Sequence, residues 1–123
     1  ISGQNGKKVF EIIAEYCVKW NSSNNLGLVV GATYPGELAN IRKIAPEVPI
    51  LVPGVGSQSG DLEASVKSGL AVETHGLLIS SSRGIIYASD QVSEYGTQAA
   101  RASSELREKI NTILRDANRS LAR

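Results

Sequence analysis

The sequence predicts an α/β fold in which parallel strands alternate with helices. Three short runs, near residues 26–32, 48–53 and 76–81, are apolar at consecutive positions, as in strands of a parallel sheet that is covered on both faces. Between and around these runs, apolar residues recur every three or four positions, which is typical of helices with one buried face. Strands that alternate with helices are joined by right-handed crossovers, so we expect one parallel sheet.

A first helix is expected before the first strand, with an apolar face formed by Val9, Ile13, Cys17 and Trp20. Cys17 is interpreted as inert packing and Trp20 as an anchor at the edge of the core. Residues suited to helix ends agree with the order of elements. Helix starts are expected at Thr33 with Pro35, at Asp61 and at Asp90, and a helix end at Gly69.

The spacing of the predicted strands leaves two architectures open. Their centres at Leu28, Leu51 and Ile79 lie roughly two to three dozen residues apart, close to the roughly 30 residues of one unit in an eight-unit barrel. Three units cannot close such a barrel. Either the sheet is small and doubly wound, or it is part of a barrel. Because the chain starts at Ile1 and contains no methionine, we expect it to be a piece of a longer protein.

The composition excludes several classes of function. The 123 residues include 13 basic and 12 acidic side chains, with a formal charge of +1 and 41% hydrophobic residues. These values argue against a disordered tail, a nucleic-acid arm and a polybasic membrane anchor. The longest apolar stretches are far shorter than the roughly 20 residues that cross a bilayer. With one cysteine and no recognisable secretory signal, a cytoplasmic setting is expected, with no nucleic-acid or membrane partner.

Two loops that follow the second and third predicted strands have the residues best suited to bind a ligand. In parallel α/β proteins, ligands bind at the carboxyl ends of the strands. The glycine-rich segment 53–61 can expose backbone N–H groups to an anion, and Gln58 can donate from its side chain. In the segment 80–84, Arg83 offers a planar fork of donors that matches a phosphate. The structural alternative for segment 53–61 is a tight turn that binds nothing. For Arg83 it is a solvated charge at the rim of the sheet.

Residues for acid–base catalysis are missing from the predicted strand ends. No aspartate, glutamate, lysine or histidine stands there, and most carboxylates fall on predicted helices. His75 stands alone before a strand, so neither a metal site nor a catalytic dyad is expected. No catalytic residue is therefore assigned in this chain, and no cofactor is predicted.

Three motifs resemble orotidine 5′-phosphate decarboxylase of the branch found in many bacteria. They are residues 27–33 (GLVVGAT), 49–61 (PILVPGVGSQSGD) and 80–87 (SSSRGIIY). The resemblance implies a TIM (β/α)8 barrel, to which residues 1–123 contribute a helix and about the last three β/α units. It further implies a homodimeric enzyme without cofactor or metal, which converts orotidine monophosphate to uridine monophosphate and CO2 in pyrimidine biosynthesis.

The resemblance also implies roles for individual residues. Gln58 and Arg83 match the residues that hold the substrate 5′-phosphate, and the backbone of Ser82 and Arg83 supplies further donors. Pro53 matches the residue that lines the base. Many members have glycine where this chain has Ser82. The family's catalytic pattern Asp-x-Lys-x-x-Asp does not occur here, so the missing N-terminal part is expected to carry it, and the chain alone is predicted to be inactive.

Two other functions stay open at the level of sequence. One is a non-catalytic module of three strands that binds a phosphate or nucleotide. The other is a different phosphosugar enzyme, because barrels share phosphate sites across many reactions.

Overall fold

An open three-stranded parallel sheet forms the centre of the molecule. The structure is a computed structural model that describes residues 6–55, 61–70 and 76–117. The strands are β1 (Leu28–Val29), β2 (Ile50–Pro53) and β3 (Leu77–Ser80), in the spatial order β1-β2-β3. The helices are α1 (Val9–Trp20), α2 (Pro35–Ile44), α3 (Leu62–Gly69), α4 (Ser82–Ile86) and α5 (Tyr95–Asp116), with a 3-10 turn at Val92–Glu94.

Helices pack against one face of the sheet, and the core lies between the helices and the sheet. Ile50 and Val52 of β2 are fully buried and pack with Leu38 and Ile41 of α2 and Ala14 of α1. In a strand, successive side chains point to opposite faces. The strand residues that alternate with Ile50 and Val52 therefore direct their side chains to the second face of the sheet.

The second face of the sheet is apolar and exposed in the described part of the chain. Val29, Leu51 and Leu78 are aligned across the three strands by the register of the sheet. They are 71%, 38% and 56% exposed. The apolar runs of the sequence thus predict side chains that are apolar on both faces, although helices cover only one of them here.

The helix ends agree with the sequence at three of the predicted positions. Asp61 caps α3, because its carboxylate accepts the N–H of Ala64 at 3.0 Å. Pro35 is the first residue of α2, where its missing N–H removes no helical hydrogen bond, and α3 ends at Gly69. Thr33 is not the cap of α2, because Tyr34 occupies that position without a side-chain hydrogen bond.

Two other predictions are wrong. Asp90 does not cap the last helix, since α5 begins at Tyr95, after the 3-10 turn, with Glu94 at its N-cap position. Trp20 is not an anchor of the core, because it is 65% exposed and stacks on Tyr16 with ring centroids 5.1 Å apart. The short helix α4 was not expected as a separate element.

A buried arginine that sequence analysis did not single out joins several loops. Arg42 of α2 is 6% exposed and donates five hydrogen bonds to backbone carbonyls. The acceptors are Gly69 (2.7 Å), Ala45 (3.0 Å), Pro46 (3.1 Å), Val48 (2.8 Å) and Gly76 (2.9 Å). Burial lowers the pKa of Arg42 from its ordinary value. The guanidinium therefore holds the ends of α2 and α3 against the starts of β2 and β3.

Across the described ranges, the helices are all too short or too polar to cross a membrane.

Candidate functional site

The carboxyl ends of β2 and β3 lie side by side. Pro53 at the end of β2 is the register partner of Ser80 at the end of β3. Neighbouring strands are about 4.8 Å apart in a sheet, so the two loops leave it from adjacent points. The structure thus brings together the starts of the two segments that the sequence singles out.

Arg83 lies just beyond the end of β3, in the first turn of α4. Ser81 is the N-cap residue, and the hydrogen bond from Ile85 N–H to the Ser81 carbonyl begins the helix. The N–H groups of Ser82 and Arg83 precede this bond and are not used inside the helix. Both side chains are exposed, and the Arg83 guanidinium makes no hydrogen bond or ion pair with another described residue. The guanidinium is therefore accessible at this edge.

The chain leaves β2 through a residue whose backbone conformation favours glycine. Pro53 is half-buried, and Gly54 follows it with φ of +86°, a left-handed conformation that glycine adopts without strain. Gln58 lies outside the described residues, so its proximity to Arg83 stays a prediction. The chain is described again from Asp61, the cap of α3.

Charged groups lie mainly on the helices of the described part. Lys7 pairs with Glu15, Lys8 with Glu37 at 3.3 Å, and Lys67 with Glu63 at 2.6 Å. The hydrogen bond that Lys67 donates to Glu63 raises the pKa of Lys67. Within residues 6–55, 61–70 and 76–117, no three His, Cys, Asp or Glu side chains cluster as metal ligands would.

An open cavity of about 360 Å³ lies beside β1, where sequence analysis assigned no site residue. Its apolar lining includes Phe10, Val29 and Val30, and its polar lining includes Thr33, Tyr34 and Glu37. No single sequence motif indicates this cavity, because its walls come from three separate elements, α1, β1 and α2.

Curated relatives match most of the chain. Orotidine 5′-phosphate decarboxylase of Cupriavidus taiwanensis is 42% identical over 107 residues, which are 86% of this chain and 39% of the relative. The enzyme of the same name from Azoarcus sp. strain BH72 is 45% identical over the same shares. No protein-family model matches the chain. The chain thus spans about two fifths of the length of the curated relatives it matches.

Solved structures agree with these relatives. The structure of Leishmania donovani OMP decarboxylase matches with a TM-score of 0.76 and 38% identity, over 92% of this chain and 40% of that one. Leishmania donovani UMP synthase matches with a TM-score of 0.77 and 42% identity, over 90% of this chain and 23% of that one.

The parallel strands, the crossover helices and the structural matches define part of a TIM barrel. The strand spacing leaves two architectures open, and these matches favour part of a barrel over a small doubly wound sheet. The chain is related to orotidine 5′-phosphate decarboxylases, and the resemblance seen in its three motifs is confirmed. The comparisons favour this interpretation over a non-catalytic module and over a different phosphosugar enzyme.

Proposed function

We propose that the complete protein is an orotidine 5′-phosphate decarboxylase and that this chain supplies its phosphate-binding side. The observation that carries the proposal is the pairing of Pro53 with Ser80, which supports it because the segments after β2 and β3 leave the sheet at adjacent points. The names of the curated relatives support the reaction, the conversion of orotidine monophosphate to uridine monophosphate and CO2.

The residues of this chain act on the part of the substrate that does not react. Arg83 donates two hydrogen bonds to the 5′-phosphate, and Gln58 and the backbone N–H groups of Ser82 and Arg83 complete its binding. Pro53 lines the base. Binding energy gained at the phosphate stabilises the transition state for decarboxylation, provided that the enzyme uses it to position the reacting base.

The chemical step needs groups that the described strand ends lack. Loss of CO2 leaves an electron pair on the pyrimidine carbon, which must be stabilised and then protonated. The described residues just after β1, β2 and β3 include no carboxylate and no ammonium group. We assign the catalytic aspartates and lysines to the N-terminal part of the same barrel, as the family pattern implies. The assembled enzyme is a cytoplasmic homodimer, and this chain alone does not turn over substrate.

The test of this proposal compares two substrates in the reconstituted enzyme, made from this chain and the remaining part of a relative. Arg83→Ala should lower kcat/KM for orotidine monophosphate by roughly tenfold to more than a hundredfold, the range expected for one or two hydrogen bonds to a charged group. It should leave kcat/KM for orotidine, which has no phosphate, almost unchanged.

Arg101→Ala is the matched control, because Arg101 is an exposed arginine that pairs with Glu105 on α5. We expect it to leave both substrates unaffected. If Arg83→Ala slows both substrates equally, Arg83 has a structural role and the assignment fails.

A further inference from the structure

Three residues form one row across the second face of the sheet, at the carboxyl ends of the strands. Pro53 and Ser80 are register partners. Gly31 continues the row beyond the end of β1, because the N–H of the next residue, Ala32, donates to the Pro53 carbonyl at 3.1 Å. Side chains two positions apart share a face, so this carboxyl-end row lies directly above the exposed apolar row of the same face.

Ser80 is the one polar side chain in these two rows of the described strands. The row beneath is entirely apolar. In the carboxyl-end row, Pro53 presents an apolar ring and Gly31 has no side chain. A Cβ atom at Gly31 would meet no other atom within 4 Å, so the row leaves open space beside Pro53. Ser80 therefore places a single hydroxyl at the rim of an open apolar surface.

The Ser80 hydroxyl has no hydrogen-bond partner among the described residues, and the residue is half-buried. In a barrel whose helices lie outside, the second face of the sheet is the inside, where side chains are packed in layers. A polar group that is taken out of water costs free energy unless it is hydrogen-bonded. We therefore expect this hydroxyl to find a partner at the mouth of the barrel.

The position of Ser80 indicates what the partner is. Pro53, to which we assign the base, lies about 4.8 Å away on the neighbouring strand. Arg83, to which we assign the phosphate, is three positions further along the chain, so the two Cα atoms are at most about 11 Å apart. In a nucleotide the ribose joins the base to the 5′-phosphate. A side chain between the two assigned residues therefore lies beside the ribose.

We propose that the Ser80 hydroxyl forms a hydrogen bond with a ribose oxygen of the substrate and so contributes to recognition of the sugar. A serine hydroxyl can both donate and accept, which suits the hydroxyl groups of a sugar. The inference rests on the proposed function, because the roles of Pro53 and Arg83 belong to it. It goes beyond that function, since Ser80 contacts neither the phosphate nor the reacting base.

Binding of three ligands tests the contact without relying on activity. The complex of this chain with the remaining part of the Azoarcus relative is titrated calorimetrically with uridine monophosphate, ribose 5-phosphate and inorganic phosphate. Ser80→Ala should raise Kd for the two ribose-containing ligands by about three- to tenfold, the size of one neutral hydrogen bond. It should leave Kd for inorganic phosphate unchanged. Arg83→Ala should weaken all three ligands, because each of them contains a phosphate.

Two controls separate the hydroxyl from other effects of substitution. Ser104→Ala removes an exposed hydroxyl on α5 and should change none of the three Kd values. Ser80→Thr and Ser80→Val introduce side chains of the same shape, of which only threonine keeps the hydroxyl. The threonine variant should bind ribose 5-phosphate at least threefold more tightly than the valine variant. Equal affinities for these two variants would contradict a role of the hydroxyl.

The pattern across the ligands identifies each way in which the proposal can fail. An equal loss for inorganic phosphate would show a structural effect on the turn that carries Arg83. A loss for uridine monophosphate alone would indicate a contact with the base, and no loss would indicate a partner in the rest of the barrel. Each of these results would overturn the proposal.

The same complex distinguishes this proposal from the proposed function. A complex that binds ribose 5-phosphate through Ser80 but does not convert orotidine monophosphate would refute the proposed function alone. A complex that decarboxylates orotidine monophosphate, but in which Ser80→Ala binds ribose 5-phosphate as tightly as the unchanged chain, would refute the role of Ser80 alone.

Discussion

Replacement of Arg42 by methionine removes the group that joins four connections of the fold. Methionine keeps an unbranched apolar chain in place of the aliphatic part of the arginine, so the change removes the hydrogen bonds while retaining that packing. Three of the five bonds, to Gly69, Ala45 and Val48, are buried, so their carbonyls lose a partner that water cannot easily replace. A buried polar group left without a partner costs about 1–3 kcal/mol, so three such carbonyls together cost at least about 3 kcal/mol.

We therefore expect Arg42→Met to lower the free energy of unfolding by at least about 3 kcal/mol, a large fraction of the 5–15 kcal/mol typical of a domain. Urea unfolding followed by circular dichroism measures this change. Lys43→Met is the matched control, because Lys43 is the exposed neighbour on the same helix, and its effect should stay within about 0.5 kcal/mol. A loss below about 1 kcal/mol for Arg42→Met, or one equal to that of the control, would refute this account of the guanidinium.

Three further variants test the packing and separate it from ligand binding. Ser65→Ala should raise the free energy of unfolding by about 1 kcal/mol, because the Ser65 hydroxyl is fully buried and has no hydrogen-bond partner among the described residues, and unchanged or lower stability in urea would contradict this. Gly69→Ala should destabilise by about 1–3 kcal/mol, since the added Cβ would lie 2.6 Å from a methyl group of Leu77, and a gain in melting temperature would show that the core repacks freely. Arg83→Ala should change stability by less than about 0.5 kcal/mol, because the side chain is exposed, and a larger loss in the same urea titration would indicate a structural role.

Local patterns in the sequence predict most of the elements of the fold. The consecutive apolar runs indicate strands because side chains on both faces of a barrel strand are apolar, and β2 with its buried Ile50 and exposed Leu51 shows both faces. Asp61 and Pro35 are predicted correctly because a cap depends on residues only three or four positions away. The wrong prediction at Asp90 also concerns only a few positions, since the intervening 3-10 turn moves the start of α5 by one turn of helix.

Features that depend on residues far apart in the sequence could not be predicted from local patterns. The acceptors of Arg42 at Gly69 and Gly76 lie 27 and 34 positions away, so no sequence window around the arginine contains them. The exposure of Trp20 follows from what lies beside α1 in space, which apolar spacing along one helix does not specify. The placement of Arg83 near the carboxyl end of β3 was predictable, because Arg83 is only three positions beyond the last residue of that strand.

The most direct test of the central claim is an assay of orotidine monophosphate decarboxylation with this chain purified free of host enzyme. The account predicts no turnover by this chain alone, weak binding of uridine monophosphate, and turnover once the remaining part of the Azoarcus relative is added. Turnover by this chain alone that disappears when one of its own residues is replaced would contradict the assignment of the catalytic groups to the rest of the barrel.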